Sequence, residues 1–550
     1  MRYTYYVGTF LCAALSACSF QSEQADLVLH NATVLTLSGN GADPGVAQAM
    51  AIRGDSIVAV GKEREILNRF RAPEKVDLKG ATVMPGLVDA HAHFLGYAES
   101  LTRVDLTGAR SWQEVVDRVI SWGQTHSAPW IEGRGWDQND WPQTDWPTRA
   151  ALDSAFPDRP VVLTRIDGHA LIANGAALEM ASVVPVAGGE ILRDGSGQMT
   201  GVLIDAAMGP VLEAIPPMDS ATRIAALQEA EARLFEVGLT AVVDAGLDVD
   251  DLAALEAAYT ANQLRIRTWA WAADTPESHA HWLAHGPLST DRLTVRGFKF
   301  YMDGALGSRG AVLLAPYDDR PQWSGLRMEA DLDSLRDRYA ALHEAGFQVA
   351  THAIGDSANR VVLDLYAEIL GGTNDKRWRI EHAQVVERSD RARFSALSVI
   401  PSVQPTHATS DMNWAGARLG RNRLSRAYAY RSLQAELGMI ALGTDFPVED
   451  IDPRKTYYAA VARRDLSGQP RAGFLPDEAL EPIDALRGMT IWAAIASFEE
   501  ARQGTLEQGK RADLTVVDRN WLTSDPAEVL ESRILGTMIA GKWVYQDLRN

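Results

Sequence analysis

The sequence predicts an α/β fold: a (β/α)8 TIM barrel with a small composite β-sandwich domain and an inserted subdomain. Eight short β-branched or aromatic segments recur through the middle of the 550-residue chain, and most are separated by stretches with helical periodicity. Both ends of the chain instead carry short strand-like segments, and a long surplus separates the first central strand from the second. Alternating strands and helices form parallel units, and eight such units close into a barrel.

The N-terminus has the features of an export signal. Arg2 precedes a short apolar run over residues 5–15, which leads into Leu15-Ser16-Ala17-Cys18. The run is too short to span a membrane as a mature helix. Its end resembles the signal of a bacterial lipoprotein, which implies removal of residues 1–17 and a lipid anchor on Cys18. An ordinary cleaved signal and an uncleaved anchor are the alternatives.

The location that follows from this interpretation is the periplasm, with the protein held at a membrane through Cys18. Ser19, rather than Asp, after the cysteine favours the outer over the inner membrane. Residues 18–26 are predicted to form a linker. The other cysteine, Cys12, lies in the removed segment, so the mature chain has no cysteine left for an internal disulfide.

Residues 27–84 and 500–550 are predicted to form one composite β domain. Both stretches contain runs of alternating polarity bounded by glycine-containing turns. The runs are residues 27–35, 49–60, 512–518 and 534–545. The alternative is two separate hairpins that lie on the main domain.

Residues 85–499 are predicted to form the barrel, with an insertion over residues 101–215. The insertion is rich in Trp, Gly and Asp, so we expect it to shape or cover the mouth of the barrel. Chemistry in such barrels takes place at the carboxyl ends of the strands. The predicted strands are residues 83–91, 238–244, 264–271, 295–303, 347–352, 378–382, 398–403 and 439–445.

The charge balance excludes one class of partner. Lys and Arg together number 53 and Asp and Glu 72, which gives a net charge of −19. Because binding to a phosphate backbone requires clustered positive charge, we expect no nucleic-acid partner. The expected partner is a small-molecule substrate.

Two histidines at the end of the first predicted strand are candidate metal ligands. His91 and His93 are two residues apart, and in a strand such residues point to one face. His279 and His281 have the same spacing but lie in a predicted helix, where positions two apart diverge by about 200°. We therefore assign the second pair to a solvated surface. On its own, the first pair is equally compatible with a structural role.

Other potential ligands follow further strands at the same rim of the predicted barrel. Lys299 lies near the end of the fourth strand, His352 ends the fifth, His382 ends the sixth and Asp445 ends the eighth. Imidazole and carboxylate together suit a borderline divalent ion, and zinc is the first candidate.

Six short motifs contain these residues or lie in the C-terminal β segment. They are residues 85–93 (PGLVDAHAH), 298–310 (FKFYMDGALGSRG), 352–356 (HAIGD), 381–384 (EHAQ), 443–447 (GTDFP) and 504–514 (GTLEQGKRADL). They resemble those of the metal-dependent amidohydrolase superfamily, and more closely its YtcJ-like branch of amidohydrolase 3 type, which includes N-substituted formamide deformylases. The resemblance covers nearly everything after residue 25, with no departure at the expected ligand positions.

The resemblance implies a centre of two zinc ions bridged by Lys299 after carbamylation by carbon dioxide. The residues alone do not predict this, since an unmodified ammonium has no lone pair for a cation. The alternative is that Lys299 forms a salt bridge with Asp303 or another acid and that one ion suffices. The implied ligands are His91, His93, Lys299, His352, His382 and Asp445.

The resemblance also implies a mechanism. A metal-bound hydroxide is available near neutral pH because the ion lowers the pKa of its water to about 7. The hydroxide attacks a carbonyl carbon or a similar sp² carbon. Asp445 binds metal, accepts the proton of the attacking water and passes it to the leaving nitrogen.

Five further residues are candidates for substrate contact. Trp136, Asp137 and His169 lie in the insertion and resemble family motifs, and a packed-loop role is the alternative. Arg309, after the fourth strand, either pairs with an anionic substrate or orders its loop. His407, after the seventh strand, either contacts substrate or an oxyanion or is a structural histidine.

The predicted function is metal-dependent hydrolysis of a non-peptide carbon–nitrogen bond in an amide, N-formyl or N-acyl amine. The same centre also suits deamination, lactone or ester hydrolysis and phosphoester cleavage, and the fold does not choose among them. A non-catalytic periplasmic binding lipoprotein is the alternative of another class, but the intact ligand set argues against it. The sequence does not specify the substrate, the metal or the oligomeric state, and it is compatible with a homo-oligomer.

Overall fold

The computed structural model describes residues 22–39, 41–138, 141–143, 145–166, 168, 170–185, 189–216 and 218–548. The predicted signal, Cys18 and His169 lie outside the described residues. Within those ranges, no helix combines the length and the apolar character needed to cross a bilayer.

Eight parallel strands form the barrel in chain order, as predicted. They are β1 (Leu87–Ala92), β2 (Leu239–Leu247), β3 (Arg267–Ala273), β4 (Leu293–Tyr301), β5 (Gln348–Ala353), β6 (Arg379–His382), β7 (Ile400–Val403) and β8 (Ala441–Leu442). Neighbours pair from β1 through β8. After β8 the chain returns to β1, where the Asp445 N–H donates to the His91 carbonyl over 2.8 Å.

Helices cover the outside of the barrel. Outward-facing strand residues such as Val242, Phe298 and Ile380 share one hydrophobic cluster with the helix residues Leu227 and Leu335. The helices of this layer and of the following C-terminal segment are Phe94–Ser100, Ser220–Glu236, Val249–Thr260, Pro276–His285, Leu332–Glu344, Asp356–Leu370, Arg388–Ala396, Pro405–Leu424, Tyr430–Leu437, Pro453–Ala462, Pro482–Gly488 and Ile491–Ala496. The side chains at the carboxyl ends of the strands thus stand on a packed scaffold.

The first predicted strand is divided in the structure. The sequence predicts one strand over residues 83–91, but Thr82–Pro85 belongs to the β domain, and β1 begins at Leu87. The division falls at Gly86, where a Cβ atom would lie 2.2 Å from Thr240 Oγ1 of β2. Only glycine permits this close approach. Residue 86 is also the point at which the backbone passes from the β domain to the barrel.

The β domain is built from both ends of the chain. One sheet contains, in order, Ser56–Gly61, Ala49–Arg53, Leu27–His30 and Glu74–Asp77. The other contains, in order, Lys542–Gln546, Ile534–Ile539, Leu514–Val517, Thr82–Pro85, Thr33–Leu35 and Val46–Ala47. Leu29 and Ile52 of the first sheet share a core with Val83 and Val516 of the second. The fold is therefore a barrel with a composite sheet domain, as predicted.

The insertion between β1 and β2 has its own mixed sheet. Its strands are, in order, Val104–Asp105, Ile131–Trp136, Val161–Arg165, Ala170–Ala173, Met199–Asp205 and Gly189–Arg193. Its helices are Trp112–Thr125, Ala150–Ala155, Gly175–Ala181 and Gly209–Ala214. Hydrophobic side chains pack on both sides of this sheet, with Val115 and Leu163 in one cluster and Leu171 and Val211 in another. The insertion therefore has its own core.

Candidate metal centre

The predicted ligands converge at the carboxyl ends of the barrel strands. His91 lies in β1, His93 directly after it, and Asp445 shortly after β8. Asp445 Oδ1 lies 3.2 Å from His93 Nε2 and 3.5 Å from His91 Nε2. One ligand atom each of His91, His382 and Asp445 lies within 4.8 Å of the other two.

Lys299 and His352 join the same cluster from β4 and β5. Lys299 Nζ lies 3.1 Å from His91 Nε2. The ring centroid of His352 lies 4.5 Å from that of His382. The structure thus brings together all six side chains that the sequence singles out.

In three of the histidine rings, Nδ1 contacts an acceptor outside the cluster. His91 Nδ1 lies 2.5 Å from Glu381 Oε2 and His382 Nδ1 lies 2.7 Å from Gln404 Oε1. His93 Nδ1 lies 3.1 Å from the backbone oxygen of Ala245. Because carboxylate and carbonyl oxygens only accept, Nδ1 of His91 and of His382 carries the proton and Nε2 of each offers a lone pair. The His93 ring lies between two acceptors, the Ala245 oxygen and Asp445 Oδ1. A lone pair on Nε2 with the proton on Nδ1 is therefore the form of His91 and His382. This is the tautomer that binds a metal through Nε2.

His352 is held differently, beside a buried carboxylate. Its Nε2 lies 3.6 Å from Asp303 Oδ1 and makes no hydrogen bond to any described residue. Asp303 is itself completely buried. It accepts backbone N–H groups from Val312, Ile354 and Gly355 at 2.8–2.9 Å. Asp303 therefore ties the loops after β4 and β5 together next to His352.

A buried ion pair supports His91 from inside the barrel. Arg379 donates through Nε and Nη2 to the two oxygens of Glu381, over 2.7 and 3.0 Å, and both residues are completely buried. Arg379 Nη2 also donates to the Ala90 carbonyl and to Ser402 Oγ, over 2.7 and 2.6 Å. Although burial opposes ionisation, Arg379 and His91 hold the pKa of Glu381 at about 2. Glu381 is therefore a carboxylate that accepts the His91 proton.

Burial keeps the imidazoles of the centre neutral. It lowers the pKa of His91 to about 4 and that of His352 to about 3, and the charge of Lys299 acts in the same direction. Burial also lowers the pKa of His382 well below its ordinary value. At pH 7 these rings are unprotonated, which is the form that can bind a cation.

Lys299 is buried among these rings. Burial lowers its pKa to about 8, although Glu381 and Asp445 act in the opposite direction. In the described part of the chain no salt bridge joins Lys299 to Asp303, whose oxygens bind backbone N–H groups. A substantial share of the amine is therefore neutral near pH 8.

Asp445 is an ionised carboxylate held in a strained backbone. Burial alone would raise its pKa, but its contact with His93 holds the pKa well below the usual range. Its φ is 64°, and that of His382 is 73°. Left-handed backbone at residues other than glycine is costly and concentrates at functional sites.

The cluster fits a divalent cation. Asp445 Oδ1 is buried and has no hydrogen-bond partner among the described residues. Around it stand neutral imidazoles with Nε2 lone pairs, and a ligand set of imidazole and carboxylate suits a borderline ion such as zinc.

A model of the amidohydrolase family matches residues 74–545, which include the barrel, the insertion and part of the β domain. The chain belongs to this family. It is therefore an enzyme of the hydrolase class, an amidohydrolase, as the motifs predict.

Relatives found by sequence and by structure agree with this assignment. The chain is 30% identical to the putative amidohydrolase YtcJ of Bacillus subtilis, over 91% of this chain and 96% of that one. It is 28% identical to the N-substituted formamide deformylase of Arthrobacter pascens, over 96% and 99%. A crystal structure of an uncharacterized metal-dependent hydrolase from Pyrococcus horikoshii superposes with a TM-score of 0.78 at 29% identity, covering 91% and 99% of the two chains.

Three predicted substrate contacts of this amidohydrolase lie in the insertion, and the structure describes two of them, Trp136 and Asp137. Trp136 is completely buried in the insertion's core, and its Nε1 donates to the Leu163 carbonyl over 2.8 Å. Asp137 pairs with Arg165, with 2.5 Å between Oδ1 and Nη2. Trp136 thus has the packed role that the sequence left as an alternative. Substrate contact by Asp137, and by His169 outside the described residues, stays a prediction.

Arg309 and His407 occupy different surroundings. Arg309 donates through Nε and Nη2 to the two oxygens of Asp319, over 3.0 and 2.9 Å, which favours the loop-ordering alternative. His407 is nine-tenths buried, and its Nε2 lies 3.8 Å from Asp445 Oδ2. His407 therefore lies at the centre itself.

The assignment of the second histidine pair to a solvated surface is wrong for His279. The helix is present, as Pro276–His285, and it keeps the pair away from the centre. The His279 side chain, however, is only 13% exposed, lies 2.7 Å from Asp274 and packs on the ring of Phe298. A short helix that packs on β4 buries the first histidine of the pair.

The residues that support the ligands were missed in the sequence. Glu381 adjoins His382, and strand alternation predicts that the two point to opposite faces. Both reach the centre because the backbone turns left-handed at His382, with a φ of 73°. Gln404 follows β7 directly, and that position at the rim was the available signal for it.

Proposed function

We propose that this amidohydrolase cleaves the carbon–nitrogen bond of a small amide, an N-formyl or another N-acyl amine. The observation that carries the proposal is the approach of His91, His382 and Asp445 ligand atoms within 4.8 Å at the barrel mouth. The similarity to an N-substituted formamide deformylase over 96% of the chain supports an amide as the substrate.

Two zinc ions bridged by carbamylated Lys299 are the proposed cofactor, held by the four histidines of the centre and Asp445. Lys299 Nζ lies 3.1 Å from His91 Nε2, and burial lowers its pKa to about 8. A neutral amine adds to the carbon of carbon dioxide and releases a proton, which gives a carbamate whose oxygens can bind cations as an ammonium cannot.

The side chains of the centre have separate proposed roles in hydrolysis. A bound divalent ion supplies a Lewis acid and a water of lowered pKa. The Asp445 carboxylate accepts a proton from the attacking water and donates it to the leaving nitrogen, which departs as a neutral amine. The Nδ1 bonds of His91 and His382 keep their rings fixed while this happens.

The test is a substrate panel with the purified protein. We expect hydrolysis of N-formyl and N-acyl amines, with little turnover of lactones, aryl esters, phosphoesters and deaminase substrates. Asp445→Asn should keep the circular dichroism spectrum and lower kcat by about 10²–10⁴-fold. Turnover of lactones or amino-heterocycles alone would contradict an amide substrate, and an Asp445→Asn variant at the wild-type rate would contradict the proton transfer.

We further propose that the protein is exported and held at the outer membrane by a lipid on Cys18. The support is the sequence of residues 1–19, with its single cation, apolar run and Leu-Ser-Ala-Cys end. The test is metabolic labelling with a palmitate analogue, followed by membrane fractionation of the wild type and Cys18→Ser. Label and outer-membrane recovery should be lost in the variant, and an unlabelled wild type would contradict the anchor.

A further inference from the structure

Two buried side chains beside the centre present polar atoms that have no partner among the described residues. Gln384 lies just past the end of β6 and is 4% exposed, and His407 lies in the first turn of helix Pro405–Leu424 and is 9% exposed. Gln384 Oε1 and His407 Nε2 are both buried without a hydrogen-bond partner in the described ranges. Buried polar atoms in this state are costly unless a ligand or water satisfies them.

The two side chains are joined to each other and to the centre. Gln384 Nε2 lies 3.4 Å from His407 Nδ1. His407 Nε2 lies 3.8 Å from Asp445 Oδ2, and the His407 ring stacks on that of His382 with centroids 5.9 Å apart. His407 Nε2 is therefore next to the carboxylate assigned to proton transfer, and Gln384 is joined to it through the His407 ring.

The contact between the two side chains fixes what they offer. When the Gln384 amide N–H donates to His407 Nδ1, His407 Nε2 carries the ring proton and Gln384 Oε1 remains an acceptor. In the opposite amide orientation, the Gln384 oxygen accepts from His407 Nδ1–H, so His407 Nε2 is the acceptor and the Gln384 N–H is the free donor. In either orientation the neutral pair presents one donor and one acceptor. The carboxylate of Asp445 beside Nε2 selects the arrangement in which Nε2 is the donor.

We propose that Gln384 and His407 form a subsite for the carboxamide group of the substrate. His407 Nε2–H donates to the carbonyl oxygen, and Gln384 Oε1 accepts the amide N–H. This inference rests on the proposed function and narrows its substrate class to amides that carry an N–H. An ester or lactone has an oxygen in place of that N–H, which leaves the buried Gln384 oxygen unpaired.

The test compares an amide with the ester that has the same acyl group and the same leaving-group skeleton. The two compounds differ only in that an oxygen atom replaces the N–H next to the carbonyl carbon. Each kcat/KM is divided by the rate constant for hydroxide hydrolysis of that compound, which removes intrinsic reactivity. In the wild type the normalised amide value should exceed the ester value by roughly 10- to 100-fold. Gln384→Met should reduce the amide value by about that factor and leave the ester value within about threefold.

Gln113→Met is the matched control, since Gln113 is exposed on helix Trp112–Thr125 of the insertion. Metal content of each variant, measured by elemental analysis, should equal that of the wild type. An equal normalised rate for amide and ester in the wild type overturns the subsite without requiring any variant. So does an equal loss of both rates in Gln384→Met. A metal-loaded wild type that hydrolyses no amide overturns the proposed function itself, and the subsite with it.

Discussion

The position of the ring proton decides what each histidine of the centre can do. His91 is the clearest case, because its Nδ1 faces the carboxylate of Glu381 at 2.5 Å and its Nε2 is left free for a cation. Arg379 keeps that carboxylate ionised in a completely buried position. The ligand thus depends on residues that do not themselves contact a metal.

The first prediction concerns this support. Glu381→Gln should weaken metal binding by about 10- to 100-fold, because outer partners orient ligand histidines and raise their basicity. The measurement is the metal dissociation constant from competition with a chelator. Glu368→Gln, an exposed glutamate on helix Asp356–Leu370, is the matched control. Unchanged affinity in Glu381→Gln would show that His91 needs no such partner.

The second prediction concerns acid. The folded pKa of His352 is about 3, whereas an unfolded histidine titrates near 6.5, so acidification protonates the unfolded state first. Stability from this residue is complete above pH 6.5 and is lost as the pH falls towards 3. Between pH 7 and pH 5 the loss amounts to about 2 kcal/mol.

The measurement is urea unfolding of the metal-free wild type and His352→Gln at both pH values. The wild type should lose about 2 kcal/mol more than the variant on acidification. Asp303, whose pKa burial raises to about 7, acts in the opposite direction in both proteins, so it largely cancels from the difference. Equal losses in the two proteins would mean that His352 is not held neutral by the fold.

At the scale of elements, strand ends and the loops after them build the centre. The sequence predicts the barrel strands because β-branched runs alternate with helical periodicity, and it predicts the His91 and His93 pair from two-residue spacing. It does not predict the division at Gly86, which depends on how closely β2 approaches. The sequence also does not predict the left-handed backbone at His382, because no neighbouring residue type favours a positive φ at a histidine.

A carboxylate takes part in fastening the loop between β4 and helix Leu332–Glu344 to helix Pro405–Leu424. Asp319 accepts from Arg309 within the loop and from Arg418 on that helix. Arg418 also donates to the Gly307 carbonyl over 3.1 Å. The side chain that the sequence offered for substrate contact thus helps to hold the loop after β4.

The third prediction tests this fastening. Asp319→Ala removes both pairs, which are partly exposed, so tryptic cleavage after Arg309, Arg320 or Arg327 should be roughly fivefold faster. The measurement is limited proteolysis followed by mass spectrometry. Asp333→Ala, which removes an exposed pair with Arg336, should leave the cleavage rate of this loop unchanged. Equal cleavage rates in the two variants would show that Asp319 does not hold this loop to the helix.

At the scale of the whole molecule, the two ends of the chain close one domain against the barrel. Arg267 at the start of β3 donates through Nε and Nη2 to Asp513 of the β domain, over 2.5 and 3.1 Å. Both residues are 5% exposed, and Asp513 also accepts the Ala540 N–H over 2.7 Å. A buried ion pair therefore joins the domains.

The fourth prediction follows from this pair. Asp513→Asn leaves the buried Arg267 charge with only the exposed carboxylate of Asp291, 3.6 Å from Nη1. The loss of the buried partner should lower the free energy of unfolding by about 3 kcal/mol. The measurement is urea unfolding followed by tryptophan fluorescence. Asp55→Asn, an exposed change in the same domain, should shift stability by less than about 0.5 kcal/mol. A similar small shift for Asp513→Asn would show that the domains do not depend on the pair.

The proposed hydrolysis requires a divalent ion at the centre. Elemental analysis of the purified protein is therefore the most direct test of the proposed function. We expect between one and two equivalents of a divalent ion, zinc first, together with amide hydrolysis that a chelator abolishes and added metal restores. His382→Ala, which removes one of the mutually close ligands, should lose metal and activity together. A wild type that hydrolyses amides at full rate with no bound metal would contradict the account.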